Sequence, residues 1–382
     1  MSEHIKRKPK QLMKSILIIL IGNINTDARV KKEIDTFISI GIKVTLAIWN
    51  WETILYKNEN IQIIDIKYGN QKSRYGRLFT FIKIVAFWRY VSKIVNRGKY
   101  DFIHCNDLDT LGVLFFTHKN LKERVIYDAH ELFPEQYSFM SIRYHVWTWV
   151  EKKLISRAKA VITTETNRAK YLKKKYNLSE SPSIISNYPL YQKVKPKNIK
   201  KELNLENGKI LLCYAGVIMP GRGLEIIVRA LKSLPNDYAL VLVGYAFEKK
   251  YYLELMEYAR LQDQEKRVYS YGKVPTKDLL SVIAGCDICI ALYENNGLNN
   301  YYCSPNKVFD SIMAGVKVIT NDYPSLQFIR EYGFIRLISD VEPNKIADAA
   351  VELIKERCEI QDSIKRQLSW QLFEGTFRRL YS

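Results

Sequence analysis

The stretch Tyr301–Ile319, YYCSPNKVFDSIMAGVKVI, sets serine, proline, asparagine and lysine just ahead of an apolar-periodic segment. Ser304 suits an N-cap, and Pro305 suits the first helical position, where its missing N–H costs nothing. Val308, Phe309, Ile312, Met313 and Val316 recur at helical spacing, Gly315 can close the helix, and Val316–Thr320 reads as the next strand. Asn306, Lys307 and Asp310 then fall in the first turns, with Lys307 and Asp310 on one face. Free N–H groups and a lysine at a helix start suit a phosphate, and a carboxylate one turn deeper suits sugar hydroxyls. An ordinary surface Lys–Asp pair accounts for the same residues about equally well.

Other segments carry comparable signals. YAGVIMPGRGLEIIVRAL (Tyr214–Leu231) reads as strand, glycine loop, helix. Gly216, Gly221 and Gly223 let backbone approach a ligand, and Arg222 supplies a cation at the helix start. The pattern is neither GxGxxG nor a Walker loop, and a tight turn explains it as well. IYDAHELFPEQ places His130 and Glu131 just past a strand, where a histidine can hold a hydroxyl or carry a proton, or simply act structurally. LIGNINTDARVKKEI puts Gly22, Asn23, Asn25 and Asp27 before a helix, as a second hydroxyl or anion site or as a plain N-cap. His104 is followed by two acids, a spacing that does not make a metal site. Cys286 and Cys289 form a CxxC without a second pair, and core cysteine is the better reading.

The elements that must position these residues alternate regularly. Strand candidates are 16–21, 44–48, 61–66, 102–104, 125–128, 160–163 and 184–185, then 210–214, 240–243, 268–271, 288–292, 318–320 and 335–337. Helical patterns lie between them, so the fold class is α/β, with two Rossmann-like, doubly wound parallel-sheet domains facing a central cleft. The expected division is 1–190, a lysine-rich linker at 191–209, 210–360, and a C-terminal helix at 361–382 returning to the first domain.

The 382 residues carry a net charge of +19, unevenly spread: residues 1–190 hold 32 basic and 17 acidic residues, the remainder 27 and 23. The first half is thus adapted to an anionic partner: nucleic acid, anionic membrane or phosphorylated acceptor. No nucleic-acid-binding motif accompanies the charge. Lys72–Tyr100 reads as a helix with Lys72, Lys83, Arg89, Lys93 and Arg97 in one sector and apolar residues opposite. With the basic arm His4–Lys14, it suggests attachment in the plane of an anionic inner leaflet. No apolar stretch is long enough to span a bilayer, and scattered cysteines fit a reducing, cytoplasmic setting.

Taken in order, DARVKKEIDTFISIGIKVTL, IYDAHELFPE, YAGVIMPGRGLEIIVRAL, YGKVPTKDLLSVIAGCDICIALYE and SPNKVFDSIMAGVKVI resemble a GT-B-fold glycosyltransferase of the retaining family 4, group 1 type, over nearly the whole chain. The resemblance implies a nucleotide-diphosphate sugar donor in the C-terminal domain, a glycan or lipid-linked acceptor in the N-terminal one, retention, and no required metal or other cofactor. It also implies that Arg222, Gly216, Gly223 and Lys307, with N–H groups near Ser304 and Asn306, hold the diphosphate. By the same resemblance Asp310 meets the ribose, Lys273–Val274 the nucleobase, and Glu294 the transferred sugar. His130, with Asp27 and Glu131 beside it, belongs to the catalytic side, and Gly22, Asn23 and Asn25 to the acceptor side. The first Glu of the family's EX7E motif falls at Tyr302, Asp310 replaces the second, and Val217 stands where a basic residue is familiar. These departures leave the nucleotide base open. A nucleotide-sugar epimerase of the same fold and a basic nucleic-acid-binding protein are the alternatives.

Overall fold

The computed structural model describes residues 14–67 and 76–382. The basic arm ahead of Lys14, and Lys72, lie outside the described residues. Seven strands, β1 (Ser15–Ile21), β2 (Lys43–Trp49), β3 (Ile61–Asp65), β4 (Phe102–Asn106), β5 (Val125–Ala129), β6 (Ala160–Thr163) and β7 (Ser183–Ile184), pair in parallel in the order β3-β2-β1-β4-β5-β6-β7. Six more, β8 (Ile210–Ala215), β9 (Tyr238–Val243), β10 (Val268–Gly272), β11 (Ile288–Ala291), β12 (Lys317–Asn321) and β13 (Ile335–Ile338), pair as β10-β9-β8-β11-β12-β13. Every strand overlaps its expected segment. Central strands such as SILIILI and VYSYG's neighbour YALVLV are apolar in unbroken runs because helices cover both faces.

Strand order reverses between β1 and β4 and again between β8 and β11. Loops leaving the carboxyl ends at those points must diverge, and the crevice so formed is where such sheets hold ligands. Helix α1 (Ala28–Ser39) follows β1, α2 (Gly76–Arg97) precedes β4, and α3 (Ile142–Leu154) and α4 (Thr166–Tyr176) flank β6. In the second domain α5 (Leu224–Ala230) follows β8, and α6 (Asn306–Ala314) joins β11 to β12.

Three expectations change. Ile84, Phe87, Trp88, Val91 and Val95 of α2 are core residues, so most of its apolar face packs on the sheet, while Ile82 and Tyr90 meet solvent beside its basic residues. The lysine-rich stretch is only partly a connector: Ile199 is buried in the second domain, in a short helix at Ile199–Glu202, and Lys197 N–H donates to Ser281 O at 2.9 Å. The C-terminal segment is three short helices, Asp362–Gln367, Trp370–Phe373 and α7 (Glu374–Leu380), rather than one.

Those helices pack on α1. Phe37 meets Phe377 and Tyr381 edge-on at 5.5 and 4.7 Å between ring centres, and Trp370 Nε1 donates to Thr36 Oγ1 at 2.9 Å. Tyr188 bridges to the second domain, 4.5 Å from the Phe309 ring of α6. Phe377→Ala should therefore destabilise the first sheet by about 3–5 kcal/mol, as for other buried aromatics. Urea unfolding should show this, with exposed Arg378→Ala as a control within about 0.5 kcal/mol of wild type.

Candidate active site

In the second domain three adjacent strands end in glycine at positive φ: Gly216 (153°), Gly244 (145°) and Gly272 (85°). A Cβ on Gly244 would lie 1.9 Å from the Gly216 carbonyl oxygen, and one on Gly216 would lie 2.5 Å from Lys307 Cε. Bare backbone therefore forms the floor, and the Lys307 side chain crosses it. Lys307 Nζ donates to Tyr214 Oη at 2.8 Å and lies 4.0 and 5.1 Å from the Tyr214 and Tyr293 ring centres. Arg222 lies over the same Tyr293 ring at 4.7 Å. Burial, then the Arg222 charge, pulls the Lys307 pKa down to about 7. One turn on, burial pushes Asp310 up to about 6 against the pull of Lys32 from α1. Lys32 is itself lowered to about 8, by burial and then Arg29.

Helix α6 begins one residue later than expected. Pro305 is extended (ψ 107°) and occupies the N-cap, so Asn306 takes the first helical position and the Ser304 hydroxyl makes no capping bond. Gly315 closes the helix at φ 81°.

A cleft of about 1300 Å3 runs between the two sets of carboxyl ends. Gly216, Arg222, Lys273, Val274, Ser304, Asn306, Lys307 and Asp310 line its second-domain wall, and Asn25 and Glu131 line the first-domain wall. The other expected residues do not line it. Asp27 caps α1, accepting from Val30 N–H at 3.0 Å. Gly22 N–H donates to Trp49 O, and Asn23 Nδ2 donates to Glu52 at 2.7 Å. Gly223 turns the chain at φ 66° into α5 against Leu292, and Glu294 faces a smaller neighbouring hollow with it. Asn25 is at the cleft but braced, bonded to Thr53 O, Leu55 N–H and Tyr56 N–H.

His130 turns beneath the cleft into a cluster of charges. Arg29 of α1 grips Asp128 with two nitrogens, the shorter contact 2.7 Å, and its Nε lies 3.0 Å from Glu33. It also donates to Ile185 O and Asn187 Oδ1. His130 Nε2 is 3.4 Å from Asp128 and Nδ1 is 3.4 Å from Asp107. His104 joins Glu33 at 3.3 Å and the Tyr381 hydroxyl of the C-terminal segment. Burial alone would discharge His130, but Asp107 and Asp128 outweigh it and raise its pKa to about 10. Burial raises Asp107 to about 6, partly offset by His130. Asp107 sits at φ 60°, ψ 169°, a conformation costing a non-glycine residue of order 1–3 kcal/mol. It is held by its N–H to Asp128 O and by the His130 N–H on its carboxylate. Glu33, His104 and Asp128 could jointly face a cation, but the Arg29 guanidinium already bridges both carboxylates.

Arg168 closes the wall. Buried, it binds Glu131 at 2.9 Å, the His130 carbonyl, and Asn299 of the second domain through both its carbonyl (2.8 Å) and side-chain oxygen (3.0 Å). The sequence reading missed Arg29, Glu33, Asp107, Asp128, Arg168, Gly244 and Tyr293. Only the clustering of acids around strand ends, as in CNDLD and YDAHE, hinted at the ionic group.

Two parallel α/β sheets with a cleft between their carboxyl ends, cationic on one wall, define the GT-B class. Residues 37–187 match the family described as Glycosyltransferase Family 4, and 195–367 that described as Glycosyl transferases group 1. The chain belongs to the group 1 GT-B glycosyltransferases. An uncharacterized glycosyltransferase of Methanocaldococcus jannaschii is 22% identical over 198 residues, 48% of this chain and 47% of that relative, so the match spans about half the relative's length. Similar solved structures include sucrose-phosphate synthase from Thermosynechococcus elongatus (TM-score 0.74, 16% identity, 96% of this chain and 98% of that one). Anabaena HepE with UDP and glucose scores 0.73 at 16% identity over 95% and 98%. WaaG, a glycosyltransferase involved in lipopolysaccharide biosynthesis, scores 0.65 at 14% identity over 94% and 95%.

His130→Gln should cost about 3–5 kcal/mol near neutral pH, because it strips a cation from buried carboxylates. A folded pKa of about 10 exceeds the unfolded value, so the wild-type contribution is full below about pH 6.5 and lost as pH rises through 10. The stability gap between the two proteins should accordingly narrow from pH 7 to pH 10 in urea titrations. A gap independent of pH would remove the charge from the account.

Proposed function

We propose that the protein moves a sugar, with retention at its anomeric carbon, from a nucleoside-diphosphate sugar to a cell-envelope glycan or lipid-linked acceptor. The observation that carries this reading is the pair of basic side chains, Lys307 and Arg222, both against the Tyr293 ring beside a backbone floor of glycines. As the anomeric C–O bond breaks, its electron pair collects on the diphosphate, and preorganised donors there stabilise the transition state more than the ground state. These two side chains suit that task without a bound cation. In this reading Asp310, which lines the same cleft, accepts from ribose hydroxyls, and Lys273–Val274, lining it too, meets the base. Anabaena HepE, seen with UDP-glucose, supports the donor class, and WaaG supports an envelope acceptor. Glu131 and Arg168 stand on the opposite wall, where the acceptor enters. No helix among the described residues is long and apolar enough to cross a membrane. We place the protein in the cytoplasm, on the inner face of the cell membrane.

Lys307→Ala and Arg222→Ala should each slow transfer by about two to three decades, equivalent to about 2–4 kcal/mol, without unfolding the protein. Lys307→Arg is not a safe control, because a planar fork meets a diphosphate differently from a point charge. Turnover within twofold of wild type in both alanine variants would sink the site. Release of free epimer without an acceptor would favour the epimerase instead.

Diphosphate binding should also take up a proton. With a free-state pKa of about 7, Lys307 is mostly neutral at pH 8, and a bound diphosphate restores its charge. Calorimetry with UDP or GDP at pH 8, in buffers of different ionisation enthalpy, should report nearly one proton bound. Lys307→Met should abolish the uptake, and equal uptake in that variant would exclude Lys307.

A further inference from the structure

Helix α2 spends its apolar face on the core, yet large apolar side chains stand in solvent beside it. Met140 is 91% exposed, Ile142 81%, Phe139 68% and Trp149 54%. Ile142, Val146, Trp149 and Lys153 follow one another along a single outward stripe of α3, while Trp147, Val150 and Leu154 face the core. Trp149 stacks on Phe115 at 5.6 Å, and Arg89 of α2 lies over Phe116 at 5.8 Å, so the stripe continues onto the neighbouring elements.

The charge of this face has one sign. On α3, Arg143, Lys152 and Lys153 are exposed, and its one acid, Glu151, is buried. Arg89, Lys93 and Arg97 of α2 are exposed as well, and residues 76–97 contain no acid. Apolar tips ringed by cations match an anionic lipid surface, which offers headgroup charge and hydrocarbon together. A second copy would oppose like charge to like charge across a two-fold interface. Nucleic acid would leave Met140 and Ile142 without a partner.

The face also abuts the cleft. Tyr137 and Ser138 line it, and Phe139 and Met140 follow directly in the chain. The four steps from Ser138 to Ile142 reach at most about 14 Å.

We propose that the 138–142 turn and the outward face of α3 dock on an anionic bilayer, so that a lipid-anchored acceptor enters the cleft past Tyr137 and Ser138. The entry route rests on the transfer reading above, whereas the docking does not.

Sedimentation of the full chain with vesicles tests it, in the absence of donor and acceptor. Binding to phosphatidylglycerol-rich vesicles should exceed binding to phosphatidylcholine ones and fall with rising salt. The double variant Met140→Asp/Ile142→Asp should weaken it by at least about tenfold. Arg143→Glu/Lys152→Glu/Lys153→Glu should weaken it by about fivefold or more per charge. Both variants should keep wild-type nucleotide thermal shifts, showing that they fold, and should keep transfer to a lipid-free glycan acceptor within twofold. Equal binding to both lipids, or vesicle binding unchanged in the double variant, overturns the proposal. Conversion of a dimer to a monomer by that variant, with vesicle binding intact, would assign the face to self-association. Loss of transfer with vesicle binding preserved would count against the transfer reading alone.

Discussion

One buried guanidinium orders the floor of the first domain. Arg29 is enclosed by Asp128, Glu33, Ile185 O and Asn187, so a single planar cation ties α1 to the ends of β5 and β7. Its fork geometry is what lets it serve two carboxylates and two other acceptors at once; a lysine ammonium would satisfy fewer of them. The consequences spread outward. With Arg29 beside it, Asp128 is held ionised well below the usual carboxylate range despite its burial. An ionised Asp128, with Asp107, in turn keeps His130 charged. Glu33, by contrast, is pushed upward by burial and by Asp128. The turn that carries Glu131 to the cleft wall therefore rests on a chain of charges, each fixing the state of the next.

The two walls are built by different means. The first domain fixes its wall with interlocked side chains: Arg29 below, and Arg168 above, where it fastens the His130–Glu131 turn to Asn299 across the cleft. The second domain removes side chains instead, ending three neighbouring strands in glycine and letting Lys307 pass through the space. A wall of main chain accepts different substituents on the same ligand, whereas a wall of paired charges is rigid and selective. That contrast suits a common handle on one side and a particular acceptor on the other.

Much of this is legible in the amino-acid sequence. Apolar runs bounded by turns locate all thirteen strands; the central ones are unbroken because helices cover both sheet faces, whereas the edge strands IQIID and VYSYG keep polar residues. Helix α6 and its closing Gly315 followed from spacing, and its start was missed by one residue because Pro305 adopts an extended ψ. The ionic group was hidden for a physical reason. Arg29, Glu33, Asp107 and Asp128 come from separate elements, and a buried arginine on a helix looks like any surface arginine until its partners arrive. The sequence pairs the basic sector of α2 with a membrane surface, and in the structure Arg89, Lys93 and Arg97 of that sector are exposed. Its apolar side was ambiguous, since burial against a sheet and burial in a bilayer demand the same residues; only the exposed α3 stripe separates the two. Gly22, Asn23, Asp27, Gly223 and Glu294 sit near the right strand ends, but local capping and turn geometry occupies them.

The contact between Tyr381 and His104 has a consequence for the order in which the molecule is made. Residues 370–381 follow the entire second sheet in the chain, yet Trp370, Phe377 and Tyr381 complete the core over α1. A ribosome adding about 5–20 residues per second delivers the first sheet well before its last aromatic partners. During that interval Phe37 and the Glu33–His104 pair lack those partners, as does the Tyr188–Phe309 contact that Phe373 extends. The first sheet therefore waits for its distant seal.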